Sequence, residues 1–127
     1  MISVWFLRLA VVFGLVGMLM GVIMGMKHDF TLSPVHAHIN LLGWVGMFLS
    51  GLFYGARPEA ETRLALIHLL SLTLGLLLLA PGIAGSVLGI AALAPLAAVG
   101  SVVTFASMVL FSYIVFRHTP APAAKRP

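Results

Sequence analysis

The chain has 127 residues, of which 61% are hydrophobic and only 8% are charged, and its mean hydropathy is +1.16. A soluble domain of this length needs far more polar surface, so the composition indicates a small integral membrane protein. Cysteine is absent, which excludes disulfide bonds, thiolate metal sites and heme attachment through Cys-x-x-Cys-His.

Four apolar segments are long enough to cross the ~30 Å of bilayer hydrocarbon, for which a helix needs about 20 residues. The predicted spans are residues 4–26, 35–54, 62–89 and 95–116. The sequence therefore predicts an all-α membrane protein with a single domain over residues 1–117 and a disordered cytoplasmic tail over residues 118–127. The first segment has the length of a membrane span and lacks the small-residue cleavage site of a signal peptide, so we expect it to be retained.

The third span contains Pro81-Gly82, and Pro95 follows shortly after it. Membrane helices tolerate both residue types, so the third helix can continue to about Gly89. A short re-entrant or interfacial piece between the last two spans is the alternative.

The positions of the basic residues predict the orientation of the chain in the membrane. They also account for the formal net charge of +4, which therefore does not indicate nucleic-acid binding. In a four-span topology only Lys27 lies on one side of the membrane. By the positive-inside rule, both termini are then cytoplasmic. The six basic residues predicted on the cytoplasmic side are Arg8, Arg57, Arg63, Arg117, Lys125 and Arg126. We expect Trp5, Tyr54 and Tyr113 near the same interface, where amphipathic aromatic residues are common.

Glycines recur at four-residue intervals in the first span, at Gly17, Gly21 and Gly25, with Gly14 just before them. Small residues at this spacing allow helices to approach closely in lipid. The close contact is either within the chain, or with a second subunit or a flat cofactor.

Two histidines interrupt the start of the second apolar segment, in His36-Ala37-His38-Ile39-Asn40. Ionisable residues inside a membrane span are costly and usually functional. Helical residues two positions apart point about 200° apart, so both imidazoles do not readily chelate one small metal ion. The spacing favours one axial ligand on each side of the helix, with Asn40 one turn beyond His36. The alternative is a pair of structural histidines bonded to carbonyl groups or water.

Other residues are expected to surround a cofactor bound at the histidine pair. Apolar walls for a flat cofactor are expected from Leu41, Leu42, Val45 and Met47, and the cations available on that side are Lys27 and His28. His68 lies roughly 15 Å deeper than the pair, at 1.5 Å per residue, and is therefore not expected to ligate the same metal ion. It forms either an interhelical hydrogen bond or part of a proton relay.

The histidine stretch also carries a resemblance to a family. His36-Ala37-His38, followed by Leu42-Gly43-Trp44, resembles the tenth helix of heme-copper oxidase subunit I, especially in the C-type oxidases. There a His-x-His holds two hemes on opposite faces of one helix. The whole chain is also similar to small bacterial proteins described as oxidase subunit I-like, most specifically over residues 33–54.

The resemblance implies that His36 and His38 are axial ligands of heme b iron, with Asn40 beside them. It implies a multi-pass protein of the bacterial inner membrane. Because subunit I has twelve helices in three arcs of four, it also implies a homotrimer that reproduces this ring. The family's copper site uses a His-His pair and a tyrosine that have no counterpart in this chain, which argues against copper.

The leading hypothesis is an integral membrane b-type heme protein with bis-histidine ligation, for electron transfer, heme handling or gas sensing. One alternative is a minimal oxidase-like or nitric-oxide-reducing enzyme, an oxidoreductase that needs a second metal. Another is a cofactor-free structural subunit, assembly factor or transporter. The expected partners are lipid, further copies of this chain and a redox partner that the sequence does not identify.

Overall fold

The computed structural model describes residues 1–119. In this range the chain forms four long helices and no strand: α1 (Ile2–Lys27), α2 (Ser33–Ala56), α3 (Arg63–Leu88) and α4 (Ala94–His118). Each helix is long and apolar enough to cross a membrane. Within this range, the predicted all-α fold with four helices long enough to span a membrane is therefore confirmed. Of the predicted disordered tail, residues 118–127, His118 belongs to α4 and Thr119 follows it, and residues 120–127 lie outside the described residues.

The helices pack mainly as two pairs, α1 with α2 and α3 with α4, and α3 also contacts α1 and α2. The connection from α2 to α3 contains a short 3₁₀ turn, Pro58–Ala60, that touches α4. Glu61 in the same connection accepts hydrogen bonds from the backbone N–H groups of Ile2 and Ser3, at 2.9 and 3.0 Å. The start of α1, the α2–α3 connection and the end of α4 thus lie together, at what we call the arginine end.

Glu61 supplies partners to backbone donors that the first turn of a helix otherwise leaves unsatisfied. Partial burial acts to raise the pKa of Glu61. The hydrogen bonds from Ser3 and Ile2 outweigh it and hold the pKa below its usual range. The carboxylate therefore joins the α2–α3 connection to the start of α1 while it is ionised. The opposite end of the bundle, where α2 begins, is called the histidine end.

The core of the arginine half is aromatic. Phe6, Tyr54 and His68 are fully buried, and the rings of Phe6 and Tyr54 stack with centroids 5.3 Å apart. Tyr54 therefore packs inside the bundle, although the sequence predicts it at the membrane interface with Trp5 and Tyr113. Trp5 and Tyr113 are exposed on the surface of the bundle.

α3 and α4 pack so closely that their backbones touch. A side-chain carbon at Gly82 would collide with the backbone of Ala97, and one at Gly100 would collide with the backbone of Leu79. α3 passes through Pro81 without ending and stops at Leu88, where Gly89 takes the left-handed conformation with φ 71°. The continuous third helix, one of the two alternatives, is therefore the structure observed.

Candidate functional site

A tight turn leads into the histidine stretch. The Asp29 carboxylate accepts hydrogen bonds from the hydroxyl and the N–H of Thr31, at 2.6 and 3.0 Å. These bonds lower the pKa of Asp29. α2 then begins at Ser33 with Pro34 in its first turn, where a missing N–H costs nothing and the fixed φ suits a helix. His36 and His38 consequently lie within the first two turns of α2.

The imidazole of His38 is oriented by its own helix. Its Nδ1 lies 2.7 Å from the carbonyl oxygen of Pro34. A carbonyl oxygen only accepts hydrogen bonds, so Nδ1 carries the proton and Nε2 keeps its lone pair in the neutral ring. A histidine held in this way is preorganised as a metal ligand through Nε2.

His38 borders a groove of about 420 Å³ between α2, α3 and α4. Cavities of this size are typical of small-molecule sites. The hydroxyl of Thr104, which borders the groove, is buried and has no hydrogen-bond partner among residues 1–119. The groove is lined mainly by apolar side chains, and its residues are Ala37, His38, Leu41, Leu42, Leu79, Ser101, Thr104, Phe105 and Met108.

The imidazole of His36 faces the other way, toward α1. Its Nδ1 lies 2.8 Å from the carbonyl oxygen of Gly17, so the same argument assigns the proton to Nδ1 and the lone pair to Nε2. The amide of Asn40 donates to the carbonyl oxygen of His36 at 2.8 Å and lies 3.3 Å from the ring Nδ1. The expected contact between His36 and Asn40 is thus present, and the two histidines face different helices.

The regularly spaced glycines of α1 make room for side chains of α2. A side-chain carbon at Gly17 would collide with the amide of Asn40, and one at Gly21 would lie 3.0 Å from Cε1 of His36. Gly14 contacts the ring of Trp44 in the same way, whereas Gly25 meets nothing within 4 Å. The row from Gly14 to Gly21 therefore packs within the chain, against the residues that follow the histidine pair.

The segment Ile39–Gly46, directly after His38, is a π-helix of eight residues. Such wider turns are rare and occur frequently at functional sites. Sequence reasoning missed this segment because the regular helical periodicity was assumed to continue through it. The glycines Gly43 and Gly46 inside it are the only local signal, and many ordinary membrane helices contain such glycines.

His68 belongs to a separate cluster in the arginine half. Its Nδ1 and the hydroxyl of Tyr54 are 3.0 Å apart, and its ring stacks on Phe111 with centroids 4.7 Å apart. The interhelical hydrogen bond, one of the two alternatives, is therefore present between α2 and α3. The Nε2 atom of His68 is buried without a partner in the described part of the chain.

Not every predicted wall residue lies beside the histidines. Leu41 and Leu42 line the groove of His38. Val45 lies with Trp44 on another surface, and Met47 is fully buried in the core.

Within residues 1–119, no three or more His, Asp or Glu side chains are grouped so that they could hold a metal ion by themselves. Each imidazole of the pair is instead a single nitrogen donor on its own side of α2. No known family, curated protein or solved structure matches this chain. The functional interpretation consequently depends on the geometry of the pair and its surroundings.

Proposed function

We propose that this chain is a membrane heme protein that binds heme b through Nε2 of His36 and His38. The observation that carries the proposal is the state of the two rings. Each Nδ1 donates to a backbone carbonyl, which leaves the lone pair of the neutral ring on Nε2. Nε2 of His38 makes no hydrogen bond within residues 1–119, and Nε2 of His36 lies 3.5 Å from the amide nitrogen of Asn40, at the limit of a hydrogen bond. Hydrogen bonds of this kind fix the tautomer of metal-ligating histidines and raise the basicity of the nitrogen that binds the metal.

The imidazole donors and the groove beside His38 fit an iron porphyrin, whereas the ring of His36 packs against Gly21 of α1. Neutral imidazole nitrogens are common axial ligands of heme iron, and the groove beside His38 is apolar along most of its lining. Bound heme would supply one-electron transfer between ferrous and ferric iron. Lys27, in the last turn of α1, is a cation at the histidine end that suits heme propionates.

The protein's own groups would set the properties of such a heme. The carbonyl groups of Pro34 and Gly17 hold the proton on Nδ1 and fix the ring directions of His38 and His36. Asn40 ties the backbone of His36 to its own side chain. Leu41 and Leu42 line the groove and would place apolar surface beside the heme, and a lower local dielectric shifts a redox potential.

The proposal extends to assembly. The groove of His38 is open toward the outside of the bundle, and Phe105 on its edge is 72% exposed. One chain therefore covers a bound porphyrin on one side only. A homotrimer with closed threefold symmetry, in which His36 of one chain and His38 of its neighbour share a heme, would cover the other side. We place both termini in the cytoplasm and the trimer in a bacterial inner membrane.

The direct test is an absorption spectrum of the purified protein, supplied with hemin and recorded oxidised, reduced and with carbon monoxide. We expect a pyridine-hemochrome spectrum of heme b and no carbon monoxide shift, because both axial positions are filled. His36→Ala and His38→Ala should each reduce bound heme to background. His118→Asn is the control, since it removes a histidine at the opposite end of the bundle, in the last turn of α4, and should leave heme binding unchanged.

Three outcomes would contradict parts of this proposal. Absence of heme from the folded protein would favour the cofactor-free alternative. Retention of heme in both alanine variants would show that other residues ligate the iron. A carbon monoxide shift in the unmodified protein would mean an open axial position and would favour the oxidase-like enzyme.

A further inference from the structure

A second cavity, of about 410 Å³, lies at the arginine end, at the opposite end of the bundle from the histidine pair. It is formed where the start of α3 meets the last two turns of α4. We call it the arginine cleft. Its lining residues are Glu59, Thr62, Arg63, Leu64, Ile114, Arg117 and His118.

The charge of the arginine cleft is positive. Arg63 and Arg117 both line it, one from α3 and one from α4. The carboxylate of Glu59 lies 3.8 Å from the guanidinium of Arg57, and this is the only salt bridge found within residues 1–119. The negative charge of Glu59 is thus partly neutralised by Arg57, which is not among the lining residues. Arg63 and Arg117 have no carboxylate partner in that part of the chain.

The arginines retain donors for a ligand. Arg117 donates one hydrogen bond to the hydroxyl of Tyr113 at 3.2 Å, and a guanidinium has five N–H groups in all. Its planar fork matches the geometry of phosphate oxygens. Because Arg63 and Arg117 come from different helices, a phosphate between them would be held from two sides.

The remaining lining is apolar. Leu64 is half-buried and Ile114 is only 1% exposed, and both belong to helices long and apolar enough to span a membrane. A cleft with cations at its mouth and aliphatic side chains at its base fits a ligand that has an anionic head and an acyl chain. Basic pockets between membrane helices bind lipid headgroups for this reason.

We propose that the arginine cleft binds the phosphate headgroup of an anionic phospholipid, with Arg63 and Arg117 as the phosphate ligands. A bound lipid would bridge the α2–α3 connection and the end of α4. This site does not depend on heme binding at the histidine end.

The proposal can be tested with delipidated protein in a neutral detergent, by native mass spectrometry and thermal unfolding with added lipid. Phosphatidylglycerol should bind at least ten times more tightly than phosphatidylcholine, and should raise the unfolding temperature. Arg63→Gln and Arg117→Gln should each weaken phosphatidylglycerol binding about ten-fold or more, the range expected for loss of one charge-assisted contact. Arg117→Lys, which keeps the charge and loses the fork, should retain part of the affinity.

Arg8→Gln is the matched control. Arg8 is exposed and lies in the same half of the bundle, 5.4 Å from the ring centroid of Trp5 and outside the cleft. The variant removes the same charge and should leave binding unchanged. Equal binding of the two lipids, or equal loss in Arg8→Gln, would overturn the proposal. Inorganic phosphate that binds as tightly as phosphatidylglycerol would overturn the assignment to a lipid.

Discussion

The three histidines inside the helical bundle differ in what their ring nitrogens contact. In His36 and His38 a backbone carbonyl engages Nδ1, and the ring of His38 makes no other hydrogen bond within residues 1–119. In His68 the partner of Nδ1 is the side chain of Tyr54. Because the hydroxyl of Tyr54 can be removed by mutation, the contribution of this hydrogen bond to the free energy of unfolding can be measured.

Tyr54→Phe should lower the free energy of unfolding by about 1–3 kcal/mol, because it leaves a buried ring nitrogen without its partner. The double variant Tyr54→Phe with His68→Phe should be less destabilised than the sum of the two single variants, since it removes both polar groups together. A phenylalanine at position 68 keeps an aromatic ring beside Phe111. Reversible unfolding in mixed detergent micelles measures these differences.

The control for this cycle is Tyr113→Phe, which removes the hydroxyl of an exposed tyrosine. Surface substitutions of this kind usually change stability by less than about 0.5 kcal/mol. The structural interpretation of the Tyr54–His68 pair is wrong when Tyr54→Phe costs no more than Tyr113→Phe.

At the scale of elements, α1 and α2 depend on each other through the glycine row and the π-helix. The row of Gly14, Gly17 and Gly21 lies against Trp44, Asn40 and His36. Small residues in membrane helices allow such close contact, and here the contact brings the Gly17 carbonyl to the ring of His36. α1, which contains no histidine, thus determines the direction of the His36 imidazole.

Gly17→Ala should therefore disturb the histidine site from a distance. The added methyl group collides with the Asn40 amide, so α1 must move away or Asn40 must release the backbone of His36. We expect a loss of about 1–3 kcal/mol in stability, as for other overpacked positions, and an altered heme spectrum. Thermal unfolding and absorption spectra of the hemin-loaded protein measure both effects.

Gly25→Ala makes the same change on the same helix at a position that faces open space. Alanine favours helix over glycine by up to about 1 kcal/mol, so this variant should be as stable as the unmodified protein or more so. Equal effects of the two substitutions would argue against the glycine row as a positioning element.

At the scale of the whole molecule, the proposed sharing of heme between chains has a specific consequence. In such a ring, each heme is bound by His36 of one chain and His38 of the next. The two histidines can therefore be mutated on different copies of the chain. Co-expression of His36→Ala and His38→Ala chains should restore about a quarter of the heme sites by random mixing in closed rings. Heme content per chain in the purified mixture measures this.

Each variant expressed alone is the control and should bind no heme. If both histidines of a single chain bind the same heme, the mixture should contain no heme either. A mixture without heme would therefore exclude the intersubunit site. Native mass should also be three times that of one chain, and a stable mass that is not a multiple of three chains would contradict the trimer.

Much of this protein follows from local properties of the chain. The length of an apolar segment decides whether a helix can span a membrane, so the predicted segments lie within a few residues of the ends of four helices long and apolar enough to do so. The angle between residues two positions apart decides that His36 and His38 face opposite sides. The spacing of Asn40 from His36 likewise predicts their contact, because one helical turn separates them.

Other features depend on which helix lies beside which, and no local pattern specifies that. The choice of Gly17 as the partner of His36, the burial of Tyr54 against His68 and the position of Thr104 at the groove all arise from contacts between distant segments. The burial of Met47 in the core, directly after the π-helix, likewise depends on packing between helices. Apolar length and residue spacing are therefore readable from the sequence, whereas the atoms that orient each imidazole are decided by helix packing.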